Sequence, residues 1–256
     1  MRHKKRFGQN FLQDFSIIEA IVQAINPEPN QCLIEIGPGA GALTKPVLTR
    51  AEKLISIEID TDWALKLSHL TSKGLTLISA DALTVDYKGL LDSCSLEKMR
   101  LIGNLPYNVA TPLMLYLLNY LPWIEDAHFM VQKEVALRLA AAPGSREYGR
   151  LSIMMQYYNQ IDILFDVPPE AFYPKPKVDS AVVRIRPHVV SPYSMIEREK
   201  LESLTQKAFG QRRKTLKNNL KTVISSKDWE TLEIDASLRP EMLDITTFVR
   251  LAKFLN

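Results

Sequence analysis

Apolar positions follow two periods along this chain, and their succession predicts its architecture. Ile17, Ile18, Ile21, Val22 and Ile25 recur at three-and-four spacing, one face of an amphipathic helix. Asp14 or Ser16 is placed to cap it, and Pro27 and Pro29 stop it. Short apolar runs then alternate with helical stretches. Leu33–Ile36, Lys53–Ile57, Leu75–Ile78 and Met99–Ile102 read as buried strands, and a further strand is expected over Ala127–Val131. Helix patterns begin near Ala42–Thr44, at Thr111-Pro112 and at Gln132, the second with Leu113, Leu117 and Leu118 as its buried face. Gly149–Tyr158 reads as another helix, and Ile161–Phe165 with Ala181–Ile185 as a closing strand pair. Strands alternating with helices imply an α/β fold with a doubly wound parallel sheet. After Pro187 and Pro192 the pattern is helical, ending over Ile245–Leu255. An α/β domain of residues 1–187 is therefore expected, followed by a small all-helical domain of residues 188–256.

The composition changes this picture little. Hydrophobic residues make up 46% and charged residues 24% of the 256, which is ample for a core and unlike a disordered chain. No run approaches the ~20 apolar residues of a membrane span. The basic start, Met1 to Arg6, lacks the apolar run of a signal peptide, so a soluble cytoplasmic chain is expected. Cys32 and Cys94 have no ligand-like spacing and read as reduced thiols, with no metal site implied. With a net charge of only +3, any nucleic-acid surface must come from local clustering.

The candidate chemistry lies where strands end. Leu33–Ile36 runs into Gly37-Pro38-Gly39-Ala40-Gly41, and a helix follows. Strand, glycine-rich turn and helix start together mark a nucleotide crevice. The second strand ends in Glu58, at the spacing where an acid accepts from ribose hydroxyls. The third runs into Asp81, placed to accept from an adenine amino group of a cofactor. The spacing is Gly-x-Gly-x-Gly rather than the Gly-x-Gly-x-x-Gly of pyrophosphate binders; together with, and mainly because of, the Asn104-Leu105-Pro106-Tyr107 turn on the fourth strand, this favours S-adenosylmethionine over a nicotinamide dinucleotide. Glycines serving only strand–helix packing are the structural alternative.

The fourth strand ends in Gly103-Asn104-Leu105-Pro106-Tyr107. An exocyclic amine is a poor nucleophile because its lone pair is delocalised into the ring. Two acceptors aimed at its N–H groups stabilise the charge that develops as a methyl group arrives. The Asn104 amide oxygen is one candidate. The Leu105 carbonyl is the other, its direction constrained by Pro106. Tyr107 offers a flat face for a flipped base. A polar turn after a strand is the plainer reading of the same residues. Further along, Phe172-Tyr173-Pro174-Lys175-Pro176-Lys177 sets rings beside lysines, which suits an unpaired base and its phosphates, with Phe172 as a second stacking face. The alternative is a proline-rich connection with Phe172 anchored in the core. Arg2, Lys4, Lys5 and Arg6 form a basic arm, and Lys207, Arg212, Arg213, Lys214, Lys217 and Lys221 share a span without Asp or Glu. Both are expected to meet phosphate, the latter above an apolar stripe of Leu216 and Leu220.

In this order, the stretches resemble the ribosomal RNA adenine N6-dimethyltransferases, most nearly the small-subunit type. The resemblance rests on Gln9-Asn10-Phe11-Leu12, Glu35-Ile36-Gly37-Pro38-Gly39, Glu58-Ile59-Asp60, Asp81-Ala82, Asn104-Leu105-Pro106-Tyr107, Phe172 to Ser180 and Phe209 to Leu216. It implies a Rossmann-like class I S-adenosylmethionine-dependent methyltransferase sheet. It also implies that the donor is held by Asn10, Leu12, Gly37, Glu58, Asp81 and Asn104; the roles of Asn10 and Leu12 come from the resemblance alone. Two adjacent adenines near the 3′ end of 16S ribosomal RNA, each receiving two methyls, are the implied substrate. The implied partner is the small ribosomal subunit, met by a monomer without membrane or metal. A large-subunit dimethyltransferase, a DNA adenine methyltransferase and a non-catalytic ribosome-assembly or transcription factor on the same fold are the competing expectations.

Overall fold

The structure is a computed structural model that describes residues 10–211 and 213–255. Seven strands form one sheet: β1 Cys32–Ile36, β2 Leu54–Glu58, β3 Leu75–Ser79, β4 Met99–Asn104, β5 Ile124–Gln132, β6 Asn159–Val167 and β7 Ser180–Pro187. Their order is β3-β2-β1-β4-β5-β7-β6. Neighbours from β3 to β5 run parallel, and β7 is antiparallel to β5. All five residues of β1 and of β2 are buried, which explains their unbroken apolar reading. The chain moves outward from β1 to β3 and then returns to the other side of β1 as β4. That reversal opens a crevice at the carboxyl ends of β1 and β4.

Three tertiary features brace this sheet. Gly103 lies where a side chain would put its Cβ 2.5 Å from the Ile36 carbonyl oxygen, so glycine allows β4 to close against β1 there. The helix Phe15–Ile25 is capped by Asp14, whose side chain accepts from the Ser16 and Ile17 N–H groups, and it ends with Asn26 in the left-handed conformation. Buried Arg100 then donates to the Ile25 carbonyl at 2.7 Å and makes a two-pronged pair with Asp126 at 2.8 and 2.9 Å. One cation thus satisfies the end of a helix and a carboxylate on the neighbouring strand.

The chain divides into two compact units. One comprises the chain to Ala136 together with Ile161–Pro187, and the other Leu137–Gln160 together with His188–Asn256. The second unit resumes at His188, next to the boundary expected after residue 187. Residues 137–160, expected in the first domain, instead group with the helical tail. Tyr148 and Ile153 of that insert are buried, as are Leu201, Leu204 and Phe248 of the same unit. Phe209 and Phe248 stack at 5.8 Å, and Leu216 and Leu220 are fully buried.

Candidate active site

A cavity of about 330 Å³ opens at the carboxyl edge of the sheet in the first unit. It falls within the ~300–1,000 Å³ of small-molecule sites. Its floor is the glycine turn after β1. Gly37, Gly39 and Gly41 have φ of +70°, +50° and +83°, a conformation that residues with a Cβ rarely adopt. The Gly39 N–H donates to Glu58 Oε2 at 3.0 Å, and the Asp60 N–H to Glu58 Oε1 at 2.9 Å. Both oxygens of Glu58 are thus oriented by backbone, while each keeps a lone pair for a ligand hydroxyl. Burial raises the Glu58 pKa, and the N–H groups of Asp60 and Gly39 pull against that rise. Asp81 lines the same cavity, its Oδ1 accepting from the Leu83 N–H at 2.9 Å.

Glu35 also lines the cavity, and its role was not legible as a site residue. It is 2% exposed and accepts the Thr44 and Ser56 hydroxyls on one oxygen, each at 2.8 Å. Burial pushes its pKa up to about 7 against the pull of those hydroxyls, and the Glu58 carboxylate adds to the rise. A single polar residue in an apolar strand was the available signal.

Asn104 ends β4 beside Gly37, because β1 and β4 pair in parallel. Its Nδ2 donates to the Asn10 carbonyl at 3.3 Å. A carbonyl partner takes only an N–H, so the amide oxygen remains the acceptor. The Leu105 N–H is held by Met130 of β5 at 3.0 Å, and the Pro106 carbonyl accepts from Val109 at 2.9 Å, which fixes the turn. Tyr107 is half-buried, with its hydroxyl 3.1 Å from Ser180 Oγ of β7. Burial raises its pKa, and the bond to Ser180 opposes the rise.

The remaining wall comes from elsewhere in the sequence. Phe11–Leu12 and Phe172–Tyr173 form a two-stranded antiparallel ribbon, with Leu12 opposite Phe172. Gln13 adds a bond to the Ala171 carbonyl at 2.8 Å. This ribbon carries Asn10, Phe11, Leu12 and Phe172 into the cavity lining. Phe172 is only 5% exposed and belongs to the main apolar core, so it is a cavity wall and not an open platform. Tyr173, its neighbour, is 60% exposed.

The basic candidates divide. Lys175 forms an ion pair with Glu170, which satisfies one of the two cations expected to meet phosphate. Lys177 is exposed. Arg213, Lys214 and Lys217 are exposed on the second unit. Arg2, Lys4, Lys5, Arg6 and Arg212 lie outside the described residues.

A reversing parallel sheet, a left-handed glycine turn and acids ending β2 and following β3 define a class I S-adenosylmethionine-dependent methyltransferase. The lining fits that group: besides the buried Glu35, Glu58 and Asp81 present carboxylates able to accept from hydroxyl and amino groups, and among the described residues lining the cavity there is no cation for a pyrophosphate. Comparison with known proteins narrows the class. The family model for ribosomal RNA adenine dimethylase matches residues 1–256. Ribosomal RNA small subunit methyltransferase A of Legionella pneumophila (strain Lens) is 54% identical over 261 residues, covering 100% of both chains. The protein of the same name from Pseudomonas aeruginosa is 50% identical, covering 99% of this chain and 95% of its own. Among solved structures, a dimethyladenosine transferase from Plasmodium falciparum superposes with a TM-score of 0.76 at 25% identity, covering 94% of this chain and 95% of that one. The 23S rRNA methyltransferase ErmE shares the fold, with a TM-score of 0.70 at 23% identity over 96% of this chain and 99% of its own. The chain belongs to the ribosomal RNA adenine dimethylase family.

Proposed function

We propose that this chain transfers methyl groups from S-adenosylmethionine to the N6 amines of two adjacent adenines near the 3′ end of 16S ribosomal RNA, two to each. The observation that carries this reading is the shared cavity: the Asn104–Tyr107 turn and the residues assigned to the donor line one space. Glu58 receives the ribose hydroxyls and Asp81 the adenine amino group of the donor. Gly37 gives the backbone room, and Asn10 and Leu12 close the site from the ribbon. When bound, the donor supplies an electrophilic sulfonium methyl whose departure leaves a neutral thioether.

In the first transfer the Asn104 amide oxygen and the Leu105 carbonyl accept the two N–H groups of the target amine and stabilise the positive charge it acquires; in the second, one of them accepts the single N–H that remains. Tyr107 and Phe172 bound the flipped base, the first held in place by Ser180 and the second by the core. Alignment and exclusion of water supply most of the acceleration. The methylated amine releases its proton after transfer, so no general base is assigned. Lys177, Arg213, Lys214 and Lys217 contact phosphates, as do Arg2, Lys4, Lys5, Arg6 and Arg212. The partner is the small ribosomal subunit in the cytoplasm, engaged by a monomer.

Labelled donor offered with small subunits, large subunits and duplex DNA as separate acceptors tests the proposal. Label is expected in small-subunit RNA as N6,N6-dimethyladenosine at neighbouring positions. Label confined to large subunits or DNA overturns it, as does donor binding without transfer to any acceptor.

A further inference from the structure

Three tyrosine hydroxyls converge on the backbone that carries Asp81. Tyr87 donates to the Ala82 carbonyl at 3.0 Å. Tyr116 donates to the Val85 carbonyl at 3.0 Å, and Tyr120 to the same oxygen at 3.3 Å. The Tyr116 and Tyr120 hydroxyls are themselves 3.1 Å apart. Their rings pack as a unit, Tyr87 lying 5.3 Å from Tyr120 and 6.3 Å from Tyr116. Tyr87 is fully buried. Within the segment, the Thr84 N–H donates to the Asp81 carbonyl at 2.9 Å, and Leu83 holds the Asp81 side chain. A turn led by aspartate closes on these local bonds without outside help. Phenylalanine at the three positions would fill the same space, so the hydroxyls add direction rather than volume. Burial and mutual contact raise the Tyr87 pKa and hold that of Tyr120 up at about 12, which keeps both as donors.

We infer that Tyr87, Tyr116 and Tyr120 are positioning residues that set the Asp81 carboxylate against the adenine edge of the methyl donor and so determine its preference for a 6-amino over a 6-oxo purine. The inference rests on the reading of Asp81 given above. The geometry acts through two carbonyls: Ala82 follows Asp81 directly, and Val85 follows the turn that Thr84 closes. Freed from the hydroxyls, the turn keeps its local bonds but not its distance to the ligand.

The test compares calorimetric binding of S-adenosylhomocysteine and S-inosylhomocysteine to the full chain. Wild type is expected to prefer the adenosine compound, since its amino group donates to Asp81 whereas the 6-oxo group presents a second acceptor. D81N is expected to lose most of that preference. Y87F and the double variant Y116F/Y120F are expected to lose about fivefold of it, the worth of one hydrogen bond to a carbonyl. The ratio of the two affinities is the informative quantity, because general loosening weakens both ligands alike. Thermal denaturation verifies folding, and single Y116F and Y120F variants replace the double variant if it melts. If D81N keeps the wild-type preference, the reading of Asp81 falls and this inference with it. If D81N loses the preference while the tyrosine variants keep it, Asp81 stands and the positioning role is overturned.

Discussion

Replacing Glu35 by glutamine separates the electrostatic cost of this buried acid from its hydrogen bonds. Glu35 accepts from Thr44 and Ser56, and burial raises its pKa from 4.5 to about 7. In the unfolded chain the group titrates near its ordinary value. Between the two values the folded state binds more protons than the unfolded state. Stability therefore falls as pH rises through that interval and levels off above it. The interval spans about 2.5 pH units, and at about 1.4 kcal/mol each it amounts to about 3 kcal/mol. Glutamine keeps an acceptor oxygen for both hydroxyls and carries no charge at any pH. Urea unfolding of wild type and E35Q, run in parallel from acid to mildly alkaline buffer, isolates this group from all others that titrate. The difference in unfolding free energy is expected to shift in favour of E35Q by about 3 kcal/mol between pH ~4.5 and ~8. A difference that stays constant with pH would refute the assignment of a raised pKa to this carboxyl.

Gly39→Ala forces a side chain into a backbone at φ +50° and sets its Cβ 3.2 Å from the Phe11 ring. Left-handed strain of about 1–2 kcal/mol and a displaced ribbon should weaken S-adenosylhomocysteine binding by about tenfold in calorimetry. Asn104→Ala should lower methyl incorporation by about two to three orders of magnitude. RNA affinity in filter binding should stay nearly unchanged, and transfer near the wild-type rate would remove Asn104 from the acceptor role. Converting Arg213, Lys214 and Lys217 together to alanine should weaken binding to small-subunit RNA. The slope of log affinity against log salt should flatten by roughly 2, at ~0.7–0.9 for each phosphate no longer neutralised; an unaltered slope would move the RNA surface elsewhere.

Much of the first unit was legible because its signals are local. An apolar run of five residues reports a strand buried on both faces, and a glycine-rich turn between strand and helix reports a crevice wherever the sheet places it. Glu58, Asp81 and Asn104 could be named for the same reason: each follows or ends a strand, and parallel strands deliver their carboxyl ends to one edge. Asn104 lies 67 positions from Gly37, yet their meeting follows from β1 and β4 being neighbours.

Other features had no local signature. The ribbon joining Phe11–Leu12 to Phe172–Tyr173 is two residues long on each side, too short for a period to show. It alone explains how Asn10 and Leu12 reach the cavity and why Phe172 is buried. The same holds for Ser180 behind Tyr107, for Arg100 at the end of a helix that closed far earlier in the chain, and for residues 137–160, whose helical pattern does not say which core they join. Sequence periodicity records what each residue requires of its surroundings, burial or solvent, turn or strand. Which distant residue meets that requirement is chosen when the chain closes on itself, since burial of apolar surface is indifferent to sequence separation and only the folded topology decides which partners come within reach.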